Sequence, residues 1–246
     1  MTAPLLSVVI PAFNEARRLP ATLARVGDHL AAQGRPHEIL VVDDGSSDET
    51  AGVARAAGAA VRVLRHEPNR GKGYAVRRGM LAASGARRLM TDADLSTPIE
   101  DLQHLERALD AGHQVAIASR ALPGSNVEVH QGAFRELSGR AFNLLVRALL
   151  LPGLRDTQCG FKLFAAEAAQ AAFSRCRLDG FSFDVEALYV ARLRGLRVAE
   201  VPVTWRNDAA SRVTLGRGLL AFADLLAIRW NAARGRYREG SSAATL

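Results

Sequence analysis

Arg88-Leu89-Met90-Thr91-Asp92-Ala93-Asp94 is a short apolar run that closes on two carboxylates one residue apart, and Leu95-Ser96-Thr97-Pro98-Ile99-Glu100 follows at once. The apolar residues predict a buried strand whose acidic tip presents hard oxygen ligands. Thr97 and Glu100 have capping-box spacing with Pro98 at the first helical position, which predicts a helix directly after the tip. Strand, acidic tip and helix in succession is where an α/β protein holds a divalent cation against phosphate oxygens. Alone the motif is weak, because a chain with 13 aspartates produces Asp-x-Asp by chance.

Outward from this stretch the pattern repeats. Apolar, β-branched strands are predicted at residues 6–10, 39–42, 61–64, 89–91 and 115–118. Helices are predicted at 16–30, through Leu19, Leu23, Val26 and Leu30, at 46–57, where Ser46 and Glu49 again have capping-box spacing, at 73–83, and after Pro98 to about residue 111. Short uninterrupted apolar strands alternating with helices imply a mostly parallel sheet covered on both faces. Ligands of such sheets sit beyond the carboxyl ends of the strands. Four strand ends carry distinctive polar groups: Pro11-Ala12-Phe13-Asn14-Glu15, Asp43-Asp44-Gly45-Ser46, Asn69-Arg70-Gly71-Lys72-Gly73 and Asp92-Ala93-Asp94. Gly71-Lys72-Gly73 lacks the glycine spacing and the Ser or Thr of a Walker loop, and no Gly-x-Gly-x-x-Gly follows the first strand. A nucleotide would be held another way.

Composition bounds the rest. The 246 residues, 48% hydrophobic and 23% charged, suit one large globular α/β domain. The first six residues lack a basic region, so no signal peptide is expected, and no run reaches the length of a membrane span. Cys159 and Cys176 form neither a disulfide framework nor a zinc site, which points to a reduced, cytoplasmic thiol pair. The net charge is +7, and between Arg206 and Arg238 seven arginines stand against Asp208 and Asp224. Nucleic acid, an anionic membrane and a solvated helix face are three readings of such a tail. With 6% aromatics, none interleaved with the basic residues, nucleic acid is set aside. Arginine fills 30 of the 32 basic positions, so Lys72 and Lys162 mark places where a compact ammonium suits better than a fork.

Taken in order, Val8-Val9-Ile10-Pro11-Ala12-Phe13-Asn14-Glu15, Val41-Val42-Asp43-Asp44-Gly45-Ser46-Ser47-Asp48, Asn69-Arg70-Gly71-Lys72-Gly73 and Asp92-Ala93-Asp94 resemble the successive signatures of family 2 glycosyltransferases of the GT-A fold. The resemblance continues in Asp156-Thr157-Gln158-Cys159-Gly160-Phe161-Lys162-Leu163-Phe164 and Phe183-Asp184-Val185-Glu186. These last two segments are most similar to the branch that makes dolichyl-phosphate glucose, with dolichyl-phosphate mannose synthases as cousins. The resemblance implies a catalytic domain over residues 1–210, with 1–120 binding a nucleotide-sugar and 121–210 the acceptor. Residues 211–238 would be a basic amphipathic helical tail and 239–246 disordered.

The resemblance also implies roles. Pro11, Phe13, Glu15 and Asp43 would hold the nucleoside, where a carboxylate accepting from a base imide or ribose hydroxyl rejects ligands lacking that donor. Lys72 would lie near the phosphates. Asp94 would bind Mg²⁺ or Mn²⁺, with Asp92 on the ribose or the metal, since both ions favour oxygen ligands and bridge substrate phosphates. Mannose synthases often carry a Gln ligand two residues after the second Asp; here that position is Ser96. The reaction would be inverting, with the metal and Lys162 neutralising charge on the departing diphosphate.

The acceptor decides whether a base is needed. A lipid monophosphate is largely ionised near neutrality and needs only cationic clamping, for which Arg120, Arg135 and Ser138 match residues of the lipid-phosphate branch. A hydroxyl acceptor, such as phosphoglycerate or a glycan, would need a base, for which Asp156 is the candidate. A non-catalytic nucleotide-sugar-binding protein is the third reading. In the tail, Leu215, Leu219, Phe222, Leu226 and Trp230 recur at helical spacing among arginines. The stripe suits peripheral contact of residues 215–238 with the inner face of a membrane, or packing on the domain, or a homo-oligomer contact.

Overall fold

The computed structural model describes residues 4–128, 133–206 and 215–238. Its centre is a seven-stranded sheet in the order β3-β2-β1-β4-β7-β5-β8. The strands are β1 (Leu6–Ala12), β2 (His37–Asp44), β3 (Val61–His66), β4 (Arg87–Met90), β5 (Val115–Ser119), β7 (Lys162–Ala165) and β8 (Val198–Pro202). β6 (Asn126–Val127) and β9 (Thr204–Trp205) pair separately. All sheet neighbours run parallel except β7, which is antiparallel to both β4 and β5. The expected mostly parallel α/β sheet is present, and β7 and β8 extend it beyond the five expected strands.

Period-two alternation explains why both faces are covered. Val8 and Ile10 of β1 face one core with Ile39 and Val41 of β2, while Val9, Leu40 and Val42 face the other. α1 (Leu19–Ala32) closes the first core through Leu19, Leu23, Val26 and Leu30, joined by α4 (Leu102–Asp110) through Leu102 and Leu105. α3 (Lys72–Ala82), α6 (Ala166–Phe173) and α7 (Phe183–Leu193) cover the second. Near it pack α5 (Ala133–Leu149), through Phe142 and Val146, and α8 (Leu215–Ala233), through Leu225 and Ile228.

Three expected helix starts move: α1 begins at Leu19 rather than residue 16. α2 (Thr50–Ala56) begins at Thr50 rather than Ser46, and after Pro98 a short 3-10 turn (Ile99–Asp101) precedes α4. Neither capping box forms. Ser46 Oγ instead accepts the Asn14 N–H at 2.9 Å, and Thr97 Oγ1 lies 3.6 Å from Cys159 Sγ. Long-range partners have taken the hydroxyls that a local cap would use.

α8 packs by the Leu225 and Ile228 face, and Phe222, Leu226 and Trp230 of the expected stripe are exposed; the side chains of Leu215 and Leu219 lie outside the described residues. Phe222 meets Phe142 of α5 edge-on at 5.5 Å, and Leu144, Leu145 and Leu149 of α5 are exposed as well. Among the described residues no helix is long and apolar enough to cross a membrane.

Candidate active site

The strand order reverses between β1 and β4, with β2 and β3 on one side and the later strands on the other. A crevice at such a switch point is where open α/β sheets bind ligands. Because β7 runs against its neighbours, its first residue, Lys162, pairs with Met90 at the end of β4. The segment 156–161 therefore joins the tips of β1, β2, β4 and β5 on one edge.

At the tip of β1, Pro11 is buried and the Phe13 ring is exposed. Asn14 has φ 55°, a left-handed turn fixed by Ser46 Oγ and by the Ser47 N–H donating to Asn14 Oδ1 at 2.9 Å. Glu15, expected at the nucleoside, commits its carboxylate to Arg18 at 2.7 and 2.8 Å. Its charge is thus already partnered.

Asp43 is fully buried, and its Oδ1 accepts the Ser46 N–H at 2.9 Å. Asp43 Oδ2 accepts no hydrogen bond and lies 3.5 Å from Arg65 Nε. A buried acceptor without a donor is rare unless a ligand supplies one, which suits the nucleoside role expected for Asp43. Its neighbour Asp44, which the sequence reading passed over, is the knot of the next loop. It accepts from Arg70 N at 2.7 Å, Gly71 N and Asn69 Nδ2 at 2.9 Å, and His66 Nε2 at 2.8 Å. Asp44 thus holds Asn69-Arg70-Gly71 and aims the start of α3, with Lys72, at the crevice.

Lys72 Nζ reaches Asp92 Oδ1 at 2.6 Å. Burial works against the Lys72 charge, but Asp92, and beyond it Asp184 and Asp94, outweigh it and raise its pKa. Asp92 lies so close to the 159–161 backbone that a Cβ at Gly160 would fall 2.1 Å from its Oδ2. Gly160 is therefore a site residue, visible in the sequence only as part of a motif. Asp94 Oδ1 accepts the Ser96 N–H at 3.0 Å, so the Ser96 backbone orients Asp94. Leu95 between them is buried at φ 46°, a strained conformation for a non-glycine residue.

Burial, and then the charge of Asp92, push the Asp94 pKa up. A divalent cation would relieve both effects, and a carboxylate is the hard oxygen ligand that Mg²⁺ or Mn²⁺ takes. Among the described residues no three His, Cys, Asp or Glu converge on a cage. An ion held by Asp94 would draw its remaining ligands from water and substrate phosphates.

Beyond β5, Arg120 forks onto Asp156, with Nε to Oδ2 at 2.7 Å and Nη2 to Oδ1 at 2.9 Å, and its own N–H adds a third bond at 3.0 Å. The guanidinium lies 5.2 Å from the Trp205 ring. Burial alone would raise the Asp156 pKa, but the charge and hydrogen bonds of Arg120 outweigh it and hold the carboxyl below its ordinary range. Lys162, expected at the diphosphate, has 2% of its side chain exposed. Its ammonium donates to the Cys159 carbonyl and lies 3.6 Å from Asp184 Oδ2, which places it beneath the site rather than on its surface. The expected neutralisation of diphosphate charge by Lys162 would act through this buried network. Asp184, not singled out from sequence, is buried between influences of Lys162 and Lys72; burial raises its pKa against both. The side chains of Arg135 and Ser138, on α5, lie outside the described residues.

The family model for Glycosyl transferase family 2 matches residues 7–173. Human dolichyl-phosphate beta-glucosyltransferase is 38% identical over 250 residues, covering 95% of this chain and 77% of the human one. The Drosophila melanogaster protein of the same name is 39% identical over 227 residues, covering 85% and 69%. Among solved structures, glucosyl-3-phosphoglycerate synthase from Mycobacterium tuberculosis, crystallised with Mn²⁺, UDP and glucosyl-3-phosphoglycerate, superposes with a TM-score of 0.68 at 22% identity. It covers 92% of this chain and 80% of that one, a likeness of fold.

Proposed function

The chain belongs to glycosyl transferase family 2 and is a glycosyltransferase, and from that premise we propose that it transfers glucose from UDP-glucose to a polyprenyl phosphate such as dolichyl phosphate, with inversion. The names of its relatives support donor sugar and acceptor. The observation that carries the acceptor assignment is the Arg120–Asp156 fork. A carboxylate with both oxygens engaged and a lowered pKa is a poor proton acceptor. An acceptor that arrives ionised suits it. A lipid monophosphate, with a second pKa of about 6, needs no base.

In this reading the acceptor phosphate oxygen attacks the anomeric carbon in line. The new C–O bond forms as the bond to the donor phosphate breaks, and UDP leaves with the electron pair. Asp43 accepts from the nucleoside through Oδ2, and Phe13 offers its exposed ring face. Lys72, steadied by Asp92, meets the diphosphate, while Lys162 and Asp184 set the field beneath it. Asp94, with Asp92 beside it, holds Mg²⁺ or Mn²⁺, which supplies charge neutralisation of the diphosphate when bound. Arg120, at the boundary between the two parts, joins Arg135 and Ser138 of residues 121–210 in clamping the acceptor phosphate, as residues 1–120 hold the donor.

The same reading sets the chain at the cytoplasmic membrane face. Leu144, Leu145 and Leu149 of α5 join Phe222, Leu226 and Trp230 of α8 as its apolar contact. Arg234, 4.4 Å from the Trp230 ring, lies at the basic edge. A nucleotide-sugar panel with Mn²⁺ or Mg²⁺, read by nucleoside diphosphate release, tests the function. Release from UDP-glucose should depend on added polyprenyl phosphate. Equal stimulation by phosphoglycerate without lipid would overturn the acceptor.

A further inference from the structure

We propose that Glu186 and Tyr237 are positioning residues that latch the C-terminal segment after α8 to the first turn of α3, and so set where Lys72 stands. The consequence for donor binding rests on the reading of Lys72 given above. Glu186 is fully buried on α7, and its carboxylate is engaged by hydrogen-bond donors. Its Oε1 accepts the Tyr237 hydroxyl at 2.6 Å, and its Oε2 accepts the Arg177 and Leu178 N–H groups, each at 2.8 Å. A buried carboxylate holding two successive backbone amides fixes the course of the loop before α7.

That loop is the seat of α3. The Asp179 carbonyl accepts the Gly73 N–H at 2.8 Å and the Tyr74 N–H at 3.3 Å, two first-turn amides with no partner inside the helix. Asp179 Oδ1 takes Arg77 Nη2 at 2.7 Å, and Arg77 Nη1 reaches the Cys176 carbonyl at 3.2 Å. Close packing accounts for both glycines around Lys72. A Cβ at Gly71 would meet the Asp179 carbonyl oxygen at 2.5 Å, and one at Gly73 the Leu178 carbonyl oxygen at 2.6 Å. The glycines of Gly71-Lys72-Gly73 therefore admit the 178–180 backbone, and Lys72 is presented between two points of contact with it. From there its ammonium reaches Asp92.

The chain of contacts runs from Tyr237 to Glu186, to the 177–179 backbone, to the Gly73 and Tyr74 amides, to Lys72. Tyr237 is itself buried, its hydroxyl also taking Asn231 Nδ2 at 3.5 Å at the end of α8. Seating of α8 is thereby coupled to Lys72 and, through it, to the diphosphate side of the crevice.

The test is the full chain carrying Tyr237→Phe, which keeps the ring and removes the one hydroxyl, with Glu186→Gln as a second variant. Hydrogen–deuterium exchange of the peptide holding the Gly73 and Tyr74 amides should quicken about fivefold, the equivalent of one hydrogen bond, while peptides of α1 keep their rates. Affinity for UDP with Mn²⁺ should fall about three- to tenfold, and the fall should vanish when Lys72→Ala is already present. Unchanged exchange at α3 in both variants overturns the latch, whatever the affinity does. Quickened exchange with a fall in UDP affinity that persists beside Lys72→Ala overturns the route through Lys72. If Lys72→Ala alone binds UDP and Mn²⁺ normally, the donor reading of Lys72 fails, and the exchange result still decides the latch.

Discussion

Gly160→Ala isolates the contact between the Asp92 carboxylate and the 159–161 backbone. Gly160 is outside the positive-φ residues, so alanine fits its backbone and only the new Cβ matters. That Cβ would lie 2.1 Å from Asp92 Oδ2, 2.6 Å from its Cγ and 2.9 Å from its Oδ1, where ordinary contact begins at 3.4 Å. The carboxylate has to retreat by about 1.3 Å, and Asp92 has a short side chain already held by Lys72 at 2.6 Å. A misplacement of about 1 Å in a catalytic constellation costs on the order of 100-fold. Overpacking of this kind costs about 1–3 kcal/mol of stability, so the fold should persist. The assay is UDP release from UDP-glucose with Mn²⁺ and polyprenyl phosphate, alongside a thermal melt. Expected is a loss of about 100-fold in kcat/KM for the donor with a cooperative melt retained. Activity within threefold or so of the parent would refute the placement of Asp92 against a substrate-bearing metal or ribose.

Asp94→Asn should lower turnover by at least about 100-fold and raise the Mn²⁺ concentration for half-activity, read by metal titration. Because burial and Asp92 raise the Asp94 pKa, protons compete with the ion there, and Mn²⁺ should bind more weakly on going from about pH 7 to about pH 5. Asp156→Asn leaves the Arg120 guanidinium without its fork and should destabilise the chain by about 3 kcal/mol, measured by urea unfolding. The Asp156 carboxyl has a lower pKa folded than unfolded, so the parent keeps this contribution above about pH 4 and loses it as pH falls through the folded value. The asparagine variant should lack that acid limb. Leu226→Glu, at an exposed position of α8, should weaken sedimentation with anionic vesicles about tenfold while leaving the melt unchanged; unaltered vesicle binding would exclude this face.

The sheet was legible because its strands are buried on both sides. Runs such as Val8-Val9-Ile10 and Leu40-Val41-Val42 need no alternation to be recognised, and the polar residue that ends each run falls where the strand leaves the core. Asp94 and Asp43 were legible for the same reason. β7 was not, because Lys162 opens it: a lysine reads as a surface residue until Asp184 is brought to it from elsewhere in the chain. The capping boxes at Ser46 and Thr97 failed in the opposite sense, since their local signal is sound but Asn14 and Cys159 compete for the hydroxyls. Which face of α8 meets the core was not legible, because Leu225 and Ile228 also repeat at helical spacing and only tertiary packing buries them.

Local chemistry along the chain was enough to specify an α/β sheet, a row of polar strand tips and the family to which they belong. Burial and spacing are properties of short segments, and short segments are contiguous in sequence. Long-range packing alone decided that Asp44 ties the Lys72 loop, that Gly160 makes room for Asp92, that Asp156 is neutralised by Arg120, and that Lys162 lies under the site. Each is a contact between residues many positions apart, and the charge or space at one end exists only when the other has folded against it.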